Sequence, residues 1–481
     1  MERDEAPLHI GSIGVFEGQI SYERFVQNIE AKLHLIPRYQ QIAVPAPFNI
    51  SHPTWEWDPK FDLRRHIMRA TVDAPGTDQQ LLDLASDLFA GRLDREKPLW
   101  EMYIVDGLEG GRSALVSKVH HCLVDGVSGI ELLMIVLDVS ANPAPPLPGK
   151  PLDKEPIESP TQRFFDAIFD NVTGEIDRWA DRQNRLVDAT IGEGRSVRAT
   201  ARALDAMLPY AQVPMARAPF NKPLKAGRRV AVSEFSFQEI RAIRSALGGT
   251  VNDVVLTVLG GALGRYLEMH GQTTEGRTIR IMTPVNVRRE DERGALGNRV
   301  SMLLVEVPVG EQDPAARLEA VNKRTDSLKR RQIADGVEMM GEGINAVPPM
   351  LQSFLGSLPP MPNTLINMVC TNVPGPMIPL YSAGQRLLAH YPLVPLGFEM
   401  GVGCGVTSYD QKLYFGLMAD SDAAPDIQRL KEFLDQAYVE LRNAAGVVKS
   451  EPVQVGMQAS PATRRRPAAA SQAQPLAADA G

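Results

Sequence analysis

The stretch SKVHHCLVDGVSG, residues 117–129, gathers the side chains best suited to chemistry. His120 and His121 close an apolar run, and Asp125 and Gly126 follow four and five residues after the second histidine. The chain has only 8 histidines, so an adjacent pair needs a reason. Three chemistries compete. A shared metal ion is disfavoured, because successive side chains on a strand point to opposite faces. His120 and His121 at a strand end would then diverge, and no CxxC, HExxH or HxH spacing stands nearby to complete a ligand set. A packed pair with its ring nitrogens satisfied in the core is the bland alternative. A catalytic base needs only one imidazole facing a cleft. With a pKa of about 6.5 it is largely neutral near pH 7 and can take the proton of a hydroxyl or amine. Gly126 permits a tight strand-to-helix turn, and Asp125 can cap that turn or pair with a buried cation. Cys122 beside His121 raises a thiol–imidazole option. Neighbours at a strand end diverge, so Cys122 is expected to be a small buried residue, like Cys370 and Cys404.

The surrounding pattern says what positions these groups. LWEMYIV (99–105) and SALVSKVHH (113–121) read as strands, and the glycine-rich DGLEGGR between them makes a hairpin. SGIELLMIVLDVS reads as a buried helix with Ser128 as its N-cap. Residues 22–35 and 79–93 carry apolar residues at helical spacing. Residues 141–160 contain seven prolines and read as a linker, followed by helical segments to 212. A second α/β region follows, with strands at 228–237, 278–288, 301–309 and 412–420. A long helix there is capped by Thr250 and stopped by Gly271, and another helix closes the region at 426–446. The expected division is 1–140, an N-terminal half with the histidine pair; 141–227, a Pro-rich linker and helical crossover; 228–449, a C-terminal half; and 450–481, a disordered Ala-, Pro- and Gln-rich tail.

Composition narrows the class. The 481 residues hold 51 basic and 58 acidic side chains, a net charge of −7. This argues against a nucleic-acid partner, which needs a basic surface. Three cysteines make no disulfide framework and fit a reducing compartment. The acidic start MERDEAPLHIG lacks the apolar core of a secretory signal, and no apolar run has the length of a membrane span. A cytoplasmic protein, able to rest on a membrane surface, is expected.

His120, His121, Asp125 and Gly126 match HHxxxDG, which resembles the signature shared by chloramphenicol-acetyltransferase-like acyltransferases and peptide condensation domains. Further motifs fall in order: PLHIG (7–11), PLW (98–100), GLEGGRSAL (107–115), ND (Asn252, Asp253), PVNVR (284–288), GN (297–298), NVPGP (372–376) and SY (Ser408, Tyr409). Together, from about residue 5 to 445, they are similar to the bacterial wax ester synthase/diacylglycerol acyltransferase family. The resemblance implies an α/β (α+β) fold of two chloramphenicol-acetyltransferase-like halves, with mixed sheets flanked by helices and a substrate tunnel between them. It implies that His121 is the general base, His120 a supporting residue, Asp125 a structural brace and Gly126 the turn. Arg288 is expected to pair with Asp125. Trp100, Asn252, Asp253, Arg288 and Ser408 are the substrate or tunnel candidates, although Trp100 is expected to anchor the hairpin and the Asn252–Asp253 pair to cap its helix.

Acyl-CoA would be a co-substrate and a lipid alcohol the acceptor, with no resident cofactor or metal. The expected product is triacylglycerol from diacylglycerol, with wax esters from long-chain alcohols as a second activity. An acyltransferase on another lipid or an amine, and a non-catalytic lipid-binding relative, are the alternatives. Apolar stretches at 163–172 and 347–362 would give peripheral contact with the inner membrane or lipid droplets. One departure from the pattern is Gly403, which stands where the family's strand before SY carries an asparagine; it bears on acceptor choice and on activity.

Overall fold

The computed structural model describes residues 2–45, 53–123, 126–143, 215–286, 300–330 and 365–450. In chain order the strands are β1 (His9–Phe16), β2 (Gln41–Val44), β3 (Thr54–Trp57), β4 (Ile67–Thr71), β5 (Trp100–Asp106), β6 (Ser113–His120), β7 (Arg228–Ser236), β8 (Thr278–Asn286), β9 (Val300–Pro308), β10 (Met368–Val373), β11 (Tyr381–Ser382), β12 (Gln385–Leu393), β13 (Val402–Tyr409) and β14 (Lys412–Asp420). The helices are α1 (Tyr22–Lys32), α2 (Asp78–Ala90), α3 (Gly126–Val136), α4 (Phe237–Leu247), α5 (Val251–Met269), α6 (Pro314–Arg330) and α7 (Ile427–Ala444). The linker and crossover at 144–214, the apolar stretches at 163–172 and 347–362, and the tail beyond Ser450 lie outside the described residues.

Two six-stranded sheets carry the fold, in the orders β11-β12-β1-β6-β5-β4 and β7-β14-β13-β10-β8-β9, and β2 pairs with β3 apart from them. Both sheets are mixed. In the first, β4 runs parallel to β5; in the second, β10 runs parallel to β13 and β8. The expected hairpin is β5–β6, and its loop turns through Gly107, Gly110 and Gly111 at positive φ. α2 starts with a capping box between Thr77 and Gln80. α5 starts after Thr250 as its cap spacing predicts, and Gly271 follows its end at φ 69°. α3 begins at Gly126, so Ser128 lies inside the helix and is not its N-cap. Among the described residues no single helix is long and apolar enough to cross a membrane.

The first sheet draws strands from distant parts of the sequence. β11 and β12 come from the C-terminal half, yet they complete the first sheet, with β12 antiparallel to β1 from Gly11↔Leu393 to Phe16↔Leu387. The hydrophobic core around the first sheet accordingly includes Tyr409, Tyr414 and Met418 from β13 and β14. Strand alternation reports which residues pair well with some neighbour but not which neighbour it is, so this exchange leaves no local trace.

After β12 the chain passes closely over the second sheet, and glycines make the passage possible. A Cβ on Gly416 would lie 1.9 Å from the Pro392 carbonyl oxygen, one on Gly405 2.8 Å from the same oxygen, and one on Gly403 2.7 Å from Val394 Cγ2. Gly403 is therefore matched to the segment lying on it. Gly403→Asn is expected to destabilise the protein by about 1–3 kcal/mol through overpacking, read as a lower urea midpoint. Adding Val394→Ala should recover part of the loss; no recovery would place the cost elsewhere.

Candidate active site

The HHxxxDG stretch begins where β6 ends, and that end is clamped on both sides. The His120 N–H donates to the Leu99 carbonyl at 2.9 Å, and the His121 N–H donates to the Leu8 carbonyl at 2.8 Å. Leu99 is the middle of PLW and Leu8 belongs to PLHIG, so these two motifs hold the two histidines by their backbone.

Each clamp is itself anchored. Trp100 is 1% exposed; its indole N–H donates to the Tyr39 carbonyl at 2.8 Å, and its ring stacks on His66 at 4.5 Å. It anchors the hairpin, as expected. His9 Nε2 donates to the Phe89 carbonyl at 2.9 Å, at the end of α2. Lys118, two residues before the pair, places its buried ammonium on the carbonyls of Leu88 and Gly91 at 2.9 and 2.8 Å. A cation on orphan carbonyls at a helix C-terminus is favourable, and here it ties β6 to α2. Gly11 lets β1 pass between them, since a Cβ there would meet Ser117 O at 2.0 Å.

The expected strand alternation stops one residue short of His121. β6 ends at His120, and residues His121–Leu123 form a 3₁₀ turn in which His121 and Cys122 are exposed. Cys122 is therefore not the buried residue expected of it. The turn brings its thiol back onto the residue two before it, with Sγ 2.9 Å from His120 Nδ1, while the Cys122 N–H donates to the same nitrogen at 3.2 Å. Cys370 and Cys404 are buried as expected, facing each other in register across β10 and β13.

On its other side His120 Nε2 lies 3.6 Å from Glu2 Oε1. That carboxylate accepts from the Leu8 N–H at 3.0 Å and from Arg95 Nη2 at 2.6 Å, and its side chain is 4% exposed. Burial alone would raise the Glu2 pKa, but His120, Arg95 and the Leu8 amide outweigh it and hold the carboxyl well below the usual range. For His120, burial disfavours the charged form; the Cys122 thiol and Glu2 more than reverse it, pushing the imidazole up to about 9. Glu2 was missed in the sequence because the register between the chain's start and the end of β6 is set only by the fold. The run MERDE, one residue ahead of PLHIG, is the local cue for an acid at that place.

The other candidates sort as follows. Asp125 and Arg288 lie outside the described residues, so their expected pairing has no distance here; Gly126 opens α3. Asp253 is fully buried and structural: its carboxylate takes the Thr250 N–H and hydroxyl and the Thr325 hydroxyl, each at 2.8 Å. Asn252 does not share that cap, and its Oδ1 is buried with no hydrogen-bond partner among the described residues. Ser408 tethers the NVPGP loop, its Oγ accepting from the Gly375 N–H at 3.1 Å. Tyr409 beside it donates to the Leu387 carbonyl of β12 and accepts from the Leu380 N–H, both at 2.9 Å. The SY motif thus joins the second sheet to strands of the first. Asn252 and Asp253 lie on α5 and Ser408 on β13, while the histidines stand where β6 ends.

Two buried imidazoles set an acid limit. Burial, reinforced by the Lys118 charge, pushes His9 down to about 3, and burial pushes His390 down to about 4. Both titrate near 6.5 when unfolded. A depressed histidine contributes stability that is full above pH 6.5 and is lost as pH falls toward the folded value. Each is expected to remove about 1.4 kcal/mol per pH unit between roughly pH 6 and 4.5. Urea midpoints measured from pH 7 to 4.5 check this; a flat profile would contradict it.

Comparison with known proteins agrees with this geometry. Residues 1–255 match the family model of the wax ester synthase/diacylglycerol acyltransferase catalytic domain, and residues 296–442 match that of the WS/DGAT C-terminal domain. The chain is 29% identical over 446 residues to "Probable diacyglycerol O-acyltransferase tgs1" of Mycobacterium tuberculosis, covering 90% of this chain and 91% of the relative. It is also 29% identical over 462 residues to "Probable diacyglycerol O-acyltransferase tgs2" of the same organism, covering 93% and 97%. Among solved structures, the wax ester synthase/diacylglycerol acyltransferase from Marinobacter aquaeolei VT8 shares the fold, with a TM-score of 0.62 and 24% identity over 93% of this chain and 97% of that one. The first condensation domain of the calcium-dependent antibiotic synthetase shares it too, with a TM-score of 0.56 and 14% identity over 91% of each chain. With two mixed-sheet halves and an HHxxxDG turn clamped by PLHIG and PLW, the chain belongs to the wax ester synthase/diacylglycerol acyltransferase family and is an acyltransferase.

Proposed function

We propose that this acyltransferase moves an acyl group from acyl-CoA to the free hydroxyl of diacylglycerol, giving triacylglycerol, and esterifies long-chain alcohols to wax esters as a second activity. The observation that carries the reading is the exposed His121 at the rigidly clamped end of β6. Its imidazole takes the hydroxyl proton as the oxygen attacks the thioester carbonyl. The tetrahedral intermediate collapses, and the CoA thiolate leaves with the proton held by His121. The backbone clamps at Leu99 and Leu8 keep the base in place, which is the entropic part of the catalysis. Acyl-CoA is a co-substrate, and no resident cofactor enters the reaction.

The names of the mycobacterial relatives favour diacylglycerol as acceptor. Labelled palmitoyl-CoA with the purified protein and diacylglycerol, hexadecanol, a long-chain amine or no acceptor separates the readings. Triacylglycerol as the main product is expected. An amide as the main product, or no product with any acceptor, would overturn the assignment. The poor solubility of the acceptors also supports a cytoplasmic enzyme working peripherally at the inner membrane or at lipid droplets, and flotation with liposomes containing diacylglycerol tests that.

A further inference from the structure

Direct transfer by His121 leaves its neighbour unexplained. Cys122 is exposed, and its thiol rests on an imidazole whose far nitrogen faces a buried carboxylate. A nucleophile, a base within hydrogen-bond reach and a third group orienting the base make up the arrangement of covalent catalysis. Nothing in the direct-transfer mechanism uses it. We propose that Cys122 is a second acyl acceptor, with His120 as its base and Glu2 as the positioning residue, so that the enzyme acylates its own thiol from acyl-CoA when no alcohol is bound.

The geometry supports each part. In neutral His120 the Nε2–H faces the Glu2 carboxylate at 3.6 Å, which leaves Nδ1 as the acceptor for the thiol at 2.9 Å. Glu2 is fixed by the Leu8 amide and Arg95, so the imidazole cannot easily turn away. His121 and Cys122 are both exposed on the same 3₁₀ turn, and the step requires a thioester carbonyl presented to His121 to come within reach of the Cys122 thiol. This step rests on the acyl-CoA reading of that site. The chemistry balances. Cys122 passes its proton to His120 Nδ1, and its thiolate attacks the thioester carbonyl. The carbonyl carbon–sulfur bond to CoA breaks, a Cys122 thioester forms, and the CoA thiolate leaves with the proton from His120. One thioester replaces another, so the exchange is nearly balanced in energy and reversible.

Two measurements test this. In the first, the full chain is incubated with palmitoyl-CoA and no alcohol, and its intact mass is followed. One palmitoyl adduct, released by neutral hydroxylamine and mapped to Cys122, is expected. It should be lost in Cys122→Ser as a hydroxylamine-labile adduct and retained in His121→Ala, which lacks the proposed base for transfer to alcohols. Triacylglycerol formation by the wild-type chain with no adduct on Cys122 in the absence of acceptor would overturn the proposal while leaving the transferase reading intact. In the second, alkylation by iodoacetamide is followed against pH without acyl-CoA, so it does not depend on the transferase reading. The buried Cys370 and Cys404 should stay unreactive in the folded chain and serve as negative controls. Cys122 should be alkylated more slowly in His120→Ala and in Glu2→Gln than in the wild-type chain. Alkylation of Cys122 at the same rate in the wild-type chain, His120→Ala and Glu2→Gln would overturn the activation by His120 and Glu2.

Discussion

Replacing His121 with alanine is expected to lower turnover of acyl-CoA with diacylglycerol by roughly 10²–10⁴-fold, the range for losing a general base. Alanine keeps the backbone N–H of residue 121 on the Leu8 carbonyl, and urea denaturation of the variant reads any cost to the fold. The effect should fall on kcat, with KM for acyl-CoA little changed, since the imidazole acts on the proton moving in the transition state. His120→Ala should behave differently. It removes the partner of both Cys122 and the buried Glu2 carboxylate, so it should lower stability as well as activity. Steady-state kinetics beside urea denaturation of both variants separate the two. Equal turnover in wild type and His121→Ala would sink the assignment of the base.

Trp100→Ala is expected to cost about 3–5 kcal/mol, the range for truncating a large buried aromatic. Its ring is stacked on His66 and lies 5.4 Å from Tyr39, and its N–H satisfies the Tyr39 carbonyl. Removing it opens a cavity and leaves that carbonyl without its donor. Because Leu99, the residue before it, holds the His120 amide, activity should fall together with stability. Trp100→Phe keeps ring packing and loses the hydrogen bond, so it should cost less, about 1–2 kcal/mol. Guanidinium unfolding measures both. A cost for Trp100→Ala below that of Trp100→Phe would mean the pocket collapses without strain, contrary to its stacked geometry.

Much of this was legible in the amino-acid order where the cause is local. The β5–β6 hairpin followed from alternation and a glycine-rich loop. α5 followed from Thr250 and Gly271, and the anchoring role of Trp100 from its size and place in PLW. The histidine pair marked the candidate site. The misreadings lie where the cause is distant or where a regular element ends. Alternation separated His120 from His121 on the premise of a strand one residue longer than the fold builds, and the same premise buried Cys122. Glu2 reaches His120 from the far end of β1's partnership with β6, and Gly403 answers to Val394 on a segment from the other sheet's strand. Such pairings depend on the assembled topology and have no period in the sequence.

β12 also sets an order of events for a chain being made on a ribosome. Until residues 385–393 emerge, β1 lacks its partner on one side, and the alternate backbone N–H and C=O groups between Gly11 and Phe16 that face away from β6 stand open. An unpaired apolar edge of this kind recruits other strands. β12 is translated on the order of 250 residues after β6 is complete, which at bacterial or eukaryotic rates of about 5–20 residues per second is on the order of tens of seconds. During that interval the clamped histidine turn can form locally, but the sheet that carries it stays unfinished. Cutting the gene in its proline-rich stretch is therefore expected to yield a first fragment whose β1 flank stays open to other strands.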